Sequence, residues 1–155
     1  MTVTRRQARE WAVQMLTAAD LNPPADVASF MADFWLQAVS LDPEDGGVPK
    51  VPEKYKVFAE ERVIGVLNSI DEIDGILAPL LANWDLDRLG TVERAVLRMG
   101  IWELKQTDVP KAVVINEAVD IVNWFSAPMA RRIVNGVLDK FAKSLAPAKP
   151  EETRF

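Results

Sequence analysis

Three consecutive apolar runs, LGTVERAVLRMGIWEL (89–104), DVPKAVVINEAVDIV (108–122) and RRIVNGVLDK (131–140), place their hydrophobic residues three or four positions apart. That spacing lines one face of an α-helix, whereas a half-buried strand needs strict alternation. In the first run Leu97, Ile101 and Leu104 fall on one side, and Ala95, Val96, Met99 and Trp102 on another. A helix apolar over most of its circumference belongs at the centre of a fold. Polar landmarks break the other two runs at Asn116-Glu117 and Asn135-Gly136. Glycine inside a helix costs roughly 1 kcal/mol relative to alanine, so a second helix is expected to pack closely at Gly136. Asn116 and Glu117 are expected to hydrogen-bond a neighbouring helix or cap a loop.

The same period runs through the rest of the chain. Residues 4–20 carry a stripe of Ala8, Trp11, Ala12, Met15, Leu16 and Ala19, with Thr4 as N-cap and Asn22-Pro23-Pro24 as the stop. A second helix is expected over 25–41, then a Pro/Gly-rich loop over 42–52. A single long helix is predicted over 53–82, bent near Pro79. A helical turn at 85–88, a helix over 92–106 capped by Thr91, a helix opened by Pro110, and a last helix over 128–145 complete the pattern. No segment reads as a strand or hairpin. The expected fold is all-α: a compact helical bundle of six or seven helices in two subdomains. One domain spans 1–145, with N-terminal helices over 4–41, the long helix over 53–82 and C-terminal helices over 85–145. The tail 146–155 reads as disordered.

Composition narrows the chemistry. The 155 residues include no histidine and no cysteine, which removes the commonest general base, thiol catalysis and thiolate metal sites. No catalytic residue, metal site or cofactor is expected. No apolar run is long enough for a membrane span, so a cytoplasmic location is expected. The net charge of −5 is unevenly spread: 14 acids against 4 bases over residues 20–87, but 10 bases against 6 acids over 88–149. An acidic chain of this kind meets a polyanion through a local basic patch.

Arg5, Arg6 and Arg9 are the candidate patch. Helical geometry turns Arg6 and Arg9 away from the apolar stripe, with Arg5 at its margin and Arg6 in reach of Glu10. Arginine at a helix start is disfavoured by the macrodipole, and its forked donors suit phosphate oxygens. A plain solvated face is the competing reading. The spaced carboxylates Glu117/Asp120 and Asp71/Asp74 read as surface charges or helix-stabilising pairs. Among the tryptophans, Trp11 and Trp102 read as core, while Trp35 and Trp84 lie nearer polar faces.

Four ordered blocks, RRQARE-AVQ-L near the start, then LG-VE-AVLR--I-EL, VP---VINEAV-IV and VNGVLDK, resemble the NusB family of transcription antitermination factors over about residues 4–16 and 57–143. The resemblance implies an all-helical, non-enzymatic protein in transcription regulation. It implies binding to the boxA element of nascent RNA together with NusE, a small-subunit ribosomal protein, within an RNA polymerase antitermination complex that supports ribosomal RNA transcription. By the same resemblance, RNA contacts fall on Arg5, Arg6 and Arg9, and on Arg131 and Arg132 before VNGVLDK. NusE contacts fall on Glu93, with Arg94 and Arg98. Departures include Thr17, where the family commonly has tyrosine after leucine, and Ile133, where phenylalanine is common. The alternative is a NusB-fold protein-interaction scaffold or homodimer that has lost specific RNA binding.

Overall fold

A computed structural model describes residues 3–38, 51–81, 86–125 and 128–145. Among these residues the chain forms α1 (Arg5–Leu21), α2 (Val27–Ala38), α3 (Glu53–Leu67), α4 (Ile70–Leu80), α5 (Thr91–Gln106), α6 (Lys111–Phe125) and α7 (Pro128–Ser144), with a 3₁₀ turn at Leu86–Arg88 and no strand. The loop residues 42–50, Trp84, Ser126-Ala127 and the tail 146–155 lie outside the described residues.

Local chemistry explains most boundaries. The Thr4 side chain accepts from the Gln7 amide at 3.1 Å and caps α1. Asp26 caps α2 through the Ala28 and Ser29 amides. The helix expected over 53–82 is two helices. Asn68 ends α3 and Ser69 precedes α4, both residues whose side chains compete with the helical backbone. The break lets Ile73, Leu77 and Leu81 face the core. Gly90, not Thr91, occupies the N-cap of α5, with no side-chain cap.

α5 is the central helix, packing against α1, α3, α4, α6 and α7. Its buried residues include Ala95, Val96, Leu97, Met99, Ile101 and Leu104, so both apolar sides expected for it are used. Trp35 is buried rather than polar-facing. Its ring meets Trp11 edge-on at 5.5 Å, and its indole N–H donates to Glu60 at 2.8 Å, tying α2 to α1 and α3.

The close approaches of glycines to another helix are at Gly65 and Gly100, not at Gly136. A Cβ on Gly65 would fall 2.2–2.5 Å from the Trp102 indole, and one on Gly100 would fall 2.8 Å from Leu138. Gly136 is exposed, with open space where a Cβ would stand. Opposite signs follow. Gly136→Ala should raise stability by about 0.5–1 kcal/mol, the helix-propensity gain. Gly65→Ala should lower it by about 1–3 kcal/mol, because the indole must leave its seat. Urea denaturation midpoints of the two variants check both.

Candidate functional site

The three N-terminal arginines have three different fates. Arg9 is not turned outward. It is only 3 % exposed, because the buried face of α1 is broad enough to include Arg9, Val13 and Leu16. Its Nε donates to both Glu103 carboxylate oxygens at 3.2 Å, and its Nη2 to Oε2 at 2.9 Å. Arg62 of α3 donates to the same Oε2 at 2.9 Å, and its guanidinium carbon lies 3.5 Å from the Phe58 ring centroid. One carboxylate, 1 % exposed, therefore joins α1, α3 and α5. Burial pushes Arg62 below the usual guanidinium range, opposed by the Glu103 charge and hydrogen bond.

Arg6 is half-buried and reaches across to α6, not to Glu10. Its Nε donates to Glu117 Oε1 at 2.6 Å, and its Nη2 to Glu117 Oε2 at 2.9 Å and Asp120 Oδ2 at 2.8 Å. The Glu117 hydrogen bond, against the effect of burial, holds Arg6 above its ordinary value, and Arg6 in turn holds Glu117 below the usual carboxylate range. Glu117 also lies 3.7 Å from Arg9 Nη1. The polar break in the α6 run is thus an ion-pair seat. Its neighbour Asn116 is exposed.

Arg5 is exposed and makes no ion pair among the described residues. It lines a groove with Arg9, Phe58, Asp108, Pro110 and Val113, at the start of α6. At the other end of α6, Arg131 donates a long 3.4 Å hydrogen bond to Asn123. Arg132 is exposed and, among the described residues, unpaired. At this end an apolar hollow of about 280 Å³ is lined by Val13, Thr17, Leu21, Val92 and Phe125. The Thr17 hydroxyl is buried with no hydrogen-bond partner among the described residues. Leu21, Trp124 and Met129 are exposed, Trp124 by 77 %.

The residues at the start of α5 also divide. Glu93 is half-buried and has no ion-pair partner among the described residues. Arg94 donates to Asp20 Oδ2 at 2.7 Å and to the Leu86 and Leu89 carbonyls. Arg98 pairs with Asp74 at 2.8 Å and approaches Asp20 at 3.5 Å. Burial lowers Arg98, but the Asp74 hydrogen bond and the Asp74 and Asp20 charges outweigh it, leaving the group raised. Arg94 and Arg98 therefore clamp α5 to α1 and α4. Sequence reasoning missed Asp20 and Asp74 as the partners of Arg94 and Arg98, and Glu103, shared with Arg62, as the partner of Arg9. The available signal was Glu103 itself, a carboxylate on a helix apolar nearly all round. No group of His, Cys, Asp or Glu among the described residues could hold a metal ion.

The NusB family model matches residues 6–143. A transcription antitermination protein NusB from a Nitratiruptor species is 35 % identical over 142 residues, covering 92 % of this chain and 94 % of that protein. The structure is similar to T. maritima NusB, with a TM-score of 0.78 at 28 % identity over 98 % of this chain and 99 % of that one. It is also similar to a chain from a crystal structure of antitermination factors NusB and NusE in complex with dsRNA, with a TM-score of 0.71 at 30 % identity over 91 % and 97 %.

The buried cluster makes a stability prediction that separates two arginine roles. Glu103→Gln removes the buried carboxylate that two guanidinium groups share, leaving them only longer contacts to Glu117 and Glu61, and should cost about 3–5 kcal/mol. Arg5→Ala should change stability by no more than about 0.5 kcal/mol. Chemical denaturation of the two proteins checks the contrast.

Proposed function

The chain belongs to the NusB family, and on that premise we propose that it is a non-enzymatic transcription antitermination factor of the cytoplasm. It binds boxA RNA together with NusE and joins an RNA polymerase antitermination complex supporting ribosomal RNA transcription. The observation that carries the RNA reading is that Arg5, Arg131 and Arg132, all exposed, have no carboxylate partner among the described residues. Arg5 stands at one end of α6, Arg131 and Arg132 beyond the other. A 15-residue helix separates these ends by about 20 Å, which several nucleotides of single-stranded RNA can bridge. Phosphates would meet the free guanidinium groups, and unstacked bases would supply sequence choice. Arg9 supports this surface from beneath by fixing α1, and its donors face Glu103.

The NusE contact falls on Glu93. An unpaired carboxylate suits a basic ribosomal protein. Arg94 and Arg98 would act there by holding the start of α5 in place, since their donors are spent on Asp20 and Asp74. No helix among the described residues is long and apolar enough to cross a membrane.

The exposed Leu21, Trp124 and Met129 favour a second reading, a protein-interaction scaffold or homodimer without specific RNA binding. Fluorescence anisotropy of labelled boxA RNA, with a scrambled control and with and without NusE, decides between them. The antitermination reading expects a preference for boxA that tightens with NusE. Equal affinity for both RNAs in both conditions would transfer the assignment to the scaffold. Arg5→Ala and Arg132→Ala should each weaken RNA binding and reduce the salt slope by about 0.7, one phosphate contact on a single strand. An unchanged slope removes that residue from the phosphate contacts.

A further inference from the structure

We propose that Glu117 and Asp120 form an internal latch on Arg6, standing where an RNA phosphate would sit, so that RNA gains the Arg6 contact only by displacing them. The inference rests on the RNA reading above.

Arg6 follows Arg5, which has no ion pair among the described residues, yet its own hydrogen bonds run to carboxylates of α6. The fork that matches two carboxylate oxygens also matches two phosphate oxygens, so the two anions compete for the same edge. Two carboxylates already occupy the donors of this one guanidinium. A phosphate drawn toward Arg5 therefore finds the neighbouring cation neutralised.

The latch is built to open. Asp120, the outer member, has a side chain 56 % exposed and holds Arg6 by a single bond, so solvent screening makes that contact weak. Glu117 has a second partner within reach, Arg9 Nη1 at 3.7 Å. Arg9 shares its main carboxylate, Glu103, with Arg62, so the buried cluster carries two cations against one anion. When Arg6 turns to a phosphate, Glu117 can close on Arg9 instead of losing its counter-charge. The carboxylate thus has two seats, one for the free protein and one for the RNA-bound protein.

The test measures anisotropy of labelled boxA RNA over a salt series for the wild type, Asp120→Asn, Arg6→Ala and the double variant. Asp120→Asn keeps the side-chain shape and sits at the surface, so the fold should be retained, which thermal melts of the variants check. The latch predicts that Asp120→Asn binds about fivefold tighter, from the loss of one nearby negative charge. Its salt slope should steepen by about 0.7, one more phosphate neutralised on a single strand. In the Arg6→Ala background Asp120→Asn should leave the slope unchanged. Steepening in both backgrounds, or no tightening of the single variant, overturns the latch and leaves RNA binding by the wild type standing. Absence of RNA binding by all four proteins overturns the RNA reading and the latch together.

Discussion

A single buried carboxylate holds the molecule together. Glu103 accepts from Arg9 and Arg62, and through them α1 and α3 are fixed on the central helix α5. Taking three charged groups out of water is expensive, and the mutual attraction offsets that cost only with good geometry and full hydrogen bonding. Both conditions are met. The two guanidinium groups approach Glu103 at 2.9–3.2 Å, Arg62 also donates to the Phe58 carbonyl, and the Phe58 ring lies against the Arg62 cation. An apolar contact tolerates sliding. A forked donor on a carboxylate does not, so the cluster sets the register of three helices.

That register governs which arginines are available for function. With Arg9 drawn inward, Arg6 meets α6, and Arg5 is left facing outward. The same division appears on α5, where Arg94 and Arg98 are bound to Asp20 and Asp74 and Glu93 has no ion-pair partner among the described residues. Formal charge therefore overstates the functional cation count. Among the residues marked as RNA or NusE contacts by resemblance, Arg6, Arg9, Arg94 and Arg98 have donors turned to internal carboxylates.

Helix existence was legible in the residues because the 3.6-residue period of burial is a local property. The Thr4 cap, the stop at Asn22-Pro23-Pro24 and the central position of α5 follow from it. The break at Asn68-Ser69 was less visible, since the apolar period of 53–82 carries on through two ordinary polar residues. Charge placement was legible only in part. A helical wheel puts Arg9 outside because it scores arginine as polar, yet Arg9, Val13 and Leu16 share one buried face. What buries Arg9 is Glu103, 94 positions away, and no local pattern can report a partner at that distance. The glycines show the same divide. Gly136 looked constrained and stands open, whereas Gly65 and Gly100 owe their identity to Trp102 and Leu138 on other helices.

The span of the Glu103 contacts also bears on the order in which the chain can be assembled. Arg9 and Arg62 precede their carboxylate by 94 and 41 residues. During synthesis from the N-terminus, α1 and α3 are finished long before α5 has left the ribosome. Until then their arginines have no anion to accompany them into a core, and burial without one is unfavourable. The first helix made is therefore among the last to lock. A fragment ending before α5 lacks the carboxylate that Arg9 and Arg62 share.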